Sequence, residues 1–255
     1  MLQKLRYLPP NLATSASLLL GLVSIHLSSH GQFKMAAWCI VWCVLLDKVD
    51  GALARLLHAQ SSFGVEFDSF ADFCAFGLAP AFLLGQQGLA LPEFASGAPR
   101  VAMYVAAGAY AVLAAARLAR YNVQTAALGD RLFFGMPSTM SGALLSTGYL
   151  VAARHLAGRP EAATLALLIP LVLLTAGVLM VTRFPLPKLK MRRLRWFNYF
   201  QMANIAVVYV LAPLMLFPEY LLLLSLSYVT VGAYYGRQVA RAIEDEGRLC
   251  DAGQG

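Results

Sequence analysis

Residues 47–72 read DKVDGALARLLHAQSSFGVEFDSFAD and carry five acids: Asp47, Asp50, Glu66, Asp68 and Asp72. The whole 255-residue chain has only 13 acids. This stretch lies inside or beside two apolar runs, 33–57 and 69–91. An acid at the centre of a bilayer helix costs about 2.5–3.5 kcal/mol on insertion scales. Several acids together repel one another unless a cation or a proton intervenes. Asp47 and Asp50 are three apart, and Asp68 and Asp72 four apart, so each pair shares one face of a helix. Two such helices facing each other bring four carboxylates to one cavity, and a bound metal is the economical compensation. Oxygen donors without His or Cys select Mg2+ or Mn2+ over zinc. Four carboxylates suffice for two ions that bridge phosphate oxygens. The plain alternative for Asp47 and Asp50 is an ion pair with Lys48 or Arg55, which leaves a four-acid convergence unexplained.

The small and basic residues around the acids fit the same picture. Gly51 and Ala54 keep their face free of bulk, so a base or a phosphate can approach the backbone. Arg55, one turn beyond Gly51, offers a planar guanidinium that can grip a diphosphate bidentately. Gly64 is expected in the connecting turn before Asp68, where it lets the chain come close to a ligand. Packing is the competing reading for each glycine taken singly. His58, beside the motif, reads as an interfacial surface residue.

Outside this stretch, composition fixes the class. Only 13% of the residues are charged, 59% are hydrophobic and the mean hydropathy is +0.64. A soluble domain carries about 25% charged residues, so the chain reads as membrane-embedded. Crossing the hydrocarbon core takes about 20 apolar residues. Candidate spans fall near 12–30, 33–57, 69–91, 101–118, 136–156, 163–182, 199–216 and 219–236. The expected fold is an all-α polytopic membrane helix bundle of about eight transmembrane helices, forming a single domain over 1–255. The last two helices, about 199–236, stand as additions. No run of alternating ten-residue segments suggests a barrel. The first apolar run continues past signal-peptide length without a clear cleavage site, and reads as a retained helix.

Basic residues orient the bundle. With the N-terminus inside, 15 of the 20 Lys and Arg fall on inner segments, so both termini are expected in the cytoplasm. The net charge of +7 suits anionic lipid headgroups better than nucleic acid, and no nucleic-acid partner is expected. The six basic residues and Trp196 of 183–198 read first as a positive-inside stop and second as a headgroup site. Cys39, Cys43, Cys74 and Cys250 form no paired framework and read as packing residues.

The acidic stretch fits D-x2-D-G-x2-A-R-x8-G-x3-D-x3-D, filled without a gap by Asp47, Asp50, Gly51, Ala54, Arg55, Gly64, Asp68 and Asp72. This resembles the signature of the CDP-alcohol phosphatidyltransferases. Further stretches resemble the membrane-spanning bacterial phosphatidylserine synthases: 8–25, 63–81, ARLARYNV at 116–123, FFGMPS at 133–138 and MVTRFPLPKLK at 180–190. The resemblance covers most of 8–190. Lys48 departs from the usual pattern, since an uncharged residue is more frequent there, and so does Ala52, where a basic residue is frequent.

The resemblance implies attack by the L-serine hydroxyl on the lipid-side phosphate of CDP-diacylglycerol, with CMP leaving. By that analogy Asp72 is the base, while Asp47, Asp50 and Asp68 chiefly hold Mg2+ or Mn2+, two ions in all, with Asp72 also touching the second. Gly51, Ala54, Arg55, Gly64 and Asp68 fall to the CDP side. It implies an inner cell-membrane protein, a homodimer, with its active site on the cytoplasmic side. Glycerol phosphate, inositol phosphate and choline are rival acceptors. Arg117 or Arg120 is a candidate for the serine carboxylate or a lipid phosphate, with a positive-inside anchor as the alternative. Asn11 is expected to cap the first helix, or else to bond the cytidine. A membrane ion or proton transporter is the competing class, but it has no need of Gly51, Ala54, Arg55 and Gly64 at these spacings.

Overall fold

The computed structural model describes residues 6–125, 132–182, 185–187 and 195–252. Helix α1 (Leu8–Ser29) opens with Pro9 and Pro10, which suit a first turn whose N–H groups have no intrahelical acceptor. Tyr7, not Asn11, occupies the N-cap, so the expected capping role of Asn11 is corrected: it stands inside the first turn. After a turn at Gly31 comes α2 (Phe33–Leu56), which carries Asp47 and Asp50. Ser61 caps α3 (Ser62–Asp72), its hydroxyl accepting from the Gly64 N–H at 3.0 Å. Gly64 therefore lies in the first helical turn and not in the connecting loop. A π-helical turn (Phe73–Leu78) joins α3 to α4 (Ala79–Leu89) without a break. A 3-10 turn, Pro92–Phe94, leads to α5 (Gly97–Thr125).

The second half contains α6 (Ser138–His155), α7 (Glu161–Ala166), α8 (Ile169–Val181), α9 (Arg195–Leu211) and α10 (Pro218–Ala252). Two three-residue strands, β1 (Leu132–Phe134) and β2 (Pro185–Pro187), pair antiparallel with Phe133 opposite Leu186, a small departure from an all-helical chain. This ribbon brings together FFGMPS and FPLPK, which are distant in sequence. Gly135 follows it at φ +81°, where a Cβ would lie 2.5 Å from the Met180 carbonyl oxygen, so only glycine fits there.

Helix occupies each of the eight expected spans. Among the described residues, four stretches are long and apolar enough to cross a membrane: Leu8–Ser29, Ser62–Leu89, Gly97–Val123 and Glu161–Val181. The stretch expected at 163–182 is two helices, with α8 restarting at Ile169–Pro170. The charged residues on which the orientation leans most lie partly outside the described residues: Lys4, Arg131, Arg183, Lys188, Lys190, Arg192 and Arg193. The side chains of Arg195, Trp196, Arg241, Arg248 and Cys250 lie outside them as well.

Large apolar side chains, among them Leu19, Val112, Leu171 and Leu223, are exposed on the outside of the bundle. That exterior suits lipid and not water. Inside, one core centres on Trp38, Ile40, Phe76 and Leu83. A second holds Met103, Tyr110, Leu173 and Met180. Small residues let the helices approach, because lipid offers no hydrophobic drive between them and close packing must supply the association. A Cβ on Gly21 would sit 3.1 Å from the Ala75 Cα, so a larger residue there would push α1 off the π turn by a few tenths of an ångström.

Candidate active site

Asp47 and Asp50 come from α2, and Asp68 comes from α3 across the connecting turn. One carboxylate oxygen from each lies within 4.8 Å of the other two. Asp50 is buried, and Asp47 and Asp68 are half-buried. Three carboxylates this close, sheltered from water, call for a positive partner. Their all-oxygen donor set fits a hard divalent ion and offers nothing to a soft one.

Asp72 stands outside this three-oxygen cluster, within electrostatic reach of Asp47 and Asp68. The expected convergence of four acids is therefore three plus one. Asp72 has its own partners. Ser138 Oγ donates to Asp72 Oδ2 at 3.4 Å and accepts from Arg117 Nη1 at 2.9 Å. Arg117 is 9% exposed and Ser138 fully buried, so a carboxylate, a hydroxyl and a guanidinium form an enclosed line across three helices. The π turn begins at the next residue, Phe73. Wide π turns free backbone carbonyls, and the Tyr110 hydroxyl donates to the Phe76 carbonyl at 2.8 Å while bonding Ser141 Oγ at 2.9 Å.

Helix α1 and the C-terminal helices also reach the site. Thr14 Oγ1 lies 2.9 Å from Asp50 Oδ2 and 3.0 Å from the Pro10 carbonyl, and it shares its proton between them. Tyr209, on α9, donates to the Leu45 carbonyl of α2 at 3.2 Å, two residues before Asp47. Thr14 and Ser138 lie in stretches already singled out by resemblance, but nothing in the pattern marks them individually. Tyr209 carries no signal in the sequence at all.

Arg55 is exposed and lies over Gly51, its Nη1 3.4 Å from where a Cβ would be. Among the described residues it pairs with none of the four acids. Asp47 is instead paired with Lys48, Nζ to Oδ2 at 2.8 Å. Ala54 is half-buried one turn from Asp50. Asn11 Oδ1 lies 3.9 Å from the Cβ position of Gly64, so the first turn of α1 meets the first turn of α3. Arg120 donates to the Val181 carbonyl at 2.7 Å, closing the C-terminus of α8, which is a structural anchor. His58 is exposed at φ +48°. Cys39, Cys43 and Cys74 are free thiols, with Cys43 Sγ donating to the Ser17 carbonyl at 3.3 Å. A cleft of about 200 Å³ opens between α3 and α5, walled by Phe70, Phe73 and Leu118 and ended by Glu66, Ser69 and Asn122; Asp68 and Asp72 are not among its lining residues.

Comparison with known proteins points the same way. A Helicobacter pylori (strain 26695) protein named CDP-diacylglycerol–serine O-phosphatidyltransferase is 36% identical over 192 residues, spanning 74% of this chain and 75% of the relative. Proteins of the same name from Mycobacterium tuberculosis (strain H37Rv) and Bacillus subtilis are 36% identical over 146 residues and 32% over 136. These matches span 55% and 53% of this chain, and 48% and 72% of the relatives. The family profile described as CDP-alcohol phosphatidyltransferase matches residues 7–187, a range that holds Asp47, Asp50, Asp68 and Asp72. The chain belongs to the CDP-alcohol phosphatidyltransferase family.

Proposed function

We propose that this membrane enzyme transfers the phosphatidyl group of CDP-diacylglycerol to the hydroxyl of L-serine, giving phosphatidylserine and CMP. The observation that carries the chemistry is the convergence of Asp47, Asp50 and Asp68, with Asp72 beside them on separate partners. The names of the relatives support serine as acceptor.

Asp47, Asp50 and Asp68 are the donors that would hold Mg2+ or Mn2+, and Asp72 borders the same site. A divalent ion there supplies neutralisation of the diphosphate and of the charge that develops on departing CMP. A serine hydroxyl is a weak nucleophile at neutral pH and needs a base. Asp72 takes its proton as the serine oxygen bonds to the lipid-side phosphorus and the bond from that phosphorus to the CMP oxygen breaks, in one in-line displacement. Ser138 fixes the Asp72 carboxylate, and Arg117 behind it holds the orientation of the Ser138 hydroxyl. Arg55, with Gly51 and Ala54 keeping the α2 face low, receives the CDP diphosphate, and Gly64 lets the start of α3 close on it. The cleft between α3 and α5 is a route for an acyl chain into the bilayer.

The wider reading has eight spans, both termini and the acid cluster on the cytoplasmic side of the cell membrane, and a homodimer in the bilayer. The whole of 1–255 acts as one catalytic domain. Presenting purified protein with CDP-diacylglycerol and a panel of alcohols tests the acceptor. Phosphatidylserine as the main product is expected. A glycerol phosphate, inositol phosphate or choline product with no serine product would overturn it.

A further inference from the structure

Lys48 is the motif residue that the general pattern does not require. Successive residues of a helix point about 100° apart and do not face each other. Yet Lys48 Nζ lies 2.8 Å from Asp47 Oδ2. Its stem folds back towards the acids although the side chain is 63% exposed and long enough to extend outward instead. The charged and titratable groups within electrostatic reach of it come from four helices. They are Asp47 and Asp50 on its own helix, Asp68 and Asp72 on α3, and the phenols of Tyr209 and Tyr228 on α9 and α10. Arg55 lies over Gly51 and forms no ion pair with the acids among the described residues, and Arg117 is linked to Asp72 through Ser138.

We propose that Lys48 is a tethered counterion of the carboxylate cluster: it neutralises Asp47 while no divalent ion is bound and withdraws when one enters. The inference rests on reading Asp47, Asp50 and Asp68 as cation donors. An ammonium on a flexible four-carbon stem suits the role, because it is a compact charge that can leave without breaking a bidentate geometry. A divalent ion at Asp47 repels it at close range. Lys48 is thus a positioning residue with two effects. It keeps the empty cluster from repelling itself apart, and it raises the concentration at which a divalent ion takes over.

Mn2+ binding to the full-length protein in detergent, read from the EPR signal of free Mn2+, tests this alongside thermal unfolding in EDTA and in saturating Mn2+. Lys48→Met and Lys48→Gln are expected to bind Mn2+ about fivefold more tightly, the scale of an ion pair open on one side. Both should unfold at lower temperature than the parent in EDTA, with the gap closing in Mn2+. Lys48→Arg should follow the parent in EDTA. Unchanged Mn2+ affinity in both neutral variants, with or without a fall in unfolding temperature, overturns the proposal and leaves the cation site standing. Failure of the parent itself to bind Mn2+ refutes the cation site and the proposal together.

Discussion

At the scale of single residues, the division of labour among the four aspartates decides the chemistry. Three share a cluster, and Asp72 is held by a buried serine that is held in turn by a buried arginine. Replacing Asp72 with Asn should leave CDP-diacylglycerol binding largely intact and lower kcat by about 10²–10⁴-fold, the range for loss of a general base. Turnover at the parent rate would refute the assignment. Ser138→Ala removes the link and leaves the Arg117 guanidinium short of a partner. It should cost about 1–3 kcal/mol of stability, as an unsatisfied buried donor does, and lower kcat with it. An unchanged unfolding temperature and kcat would show the link to be idle. The acids were legible in the sequence because an ionised carboxylate inside an apolar run needs a partner, and their spacing gives each pair one face. The separate seat of Asp72 was not, since Ser138 lies 66 residues further on and a serine is too common to stand out. Arg120 illustrates the same limit: a basic residue near a helix end looks alike whether it meets a ligand or, as here, a carbonyl of another helix.

At the scale of elements, the π turn Phe73–Leu78 links catalysis to packing. It starts one residue after Asp72, and the hydroxyl of Tyr110 satisfies its Phe76 carbonyl. Tyr110→Phe leaves that carbonyl without its donor in a fully buried place. We expect a loss of about 1–3 kcal/mol in stability, seen as a lower unfolding temperature in detergent, together with reduced kcat and little change in KM for CDP-diacylglycerol. An unchanged kcat would detach the π turn from the position of Asp72. The length of the apolar runs revealed where helices run, because the need for an oily surface is written in composition. It did not reveal the π turn, which adds one residue to a turn without changing hydropathy. Nor did it reveal the ribbon of Leu132–Phe134 with Pro185–Pro187, whose strands are too short for an alternating pattern and contain prolines.

At the scale of the whole molecule, the apolar exterior and the four long apolar helices make this a membrane protein. The acids gather near the end of α2 and along the second half of α3, whose Glu66 and Ser69 meet Asn122 near the C-terminus of α5. The opposite end is tied by Glu219 of α10, whose carboxylate meets His155 at 2.7 Å and Arg154 at 3.3 Å. If the acid end faces the cytoplasm, a cysteine introduced at Arg159 in a cysteine-free background should react with an impermeant maleimide in intact cells, while one at His58 should not. The reverse labelling would invert the orientation. The apolar helices followed from composition, but the way α9 reaches α2 did not. Tyr209 bonds the backbone at Leu45 from 164 residues away, a contact that hydropathy does not encode.

The most direct test is serine-dependent CMP release by the purified protein on CDP-diacylglycerol, measured after thorough chelation and again after adding Mg2+ or Mn2+. No release is expected in the chelated state, and with the ion restored, one CMP for each phosphatidylserine formed. CMP release that persists undiminished under chelation, or restored ion with no serine-dependent release, would contradict metal-assisted transfer to serine.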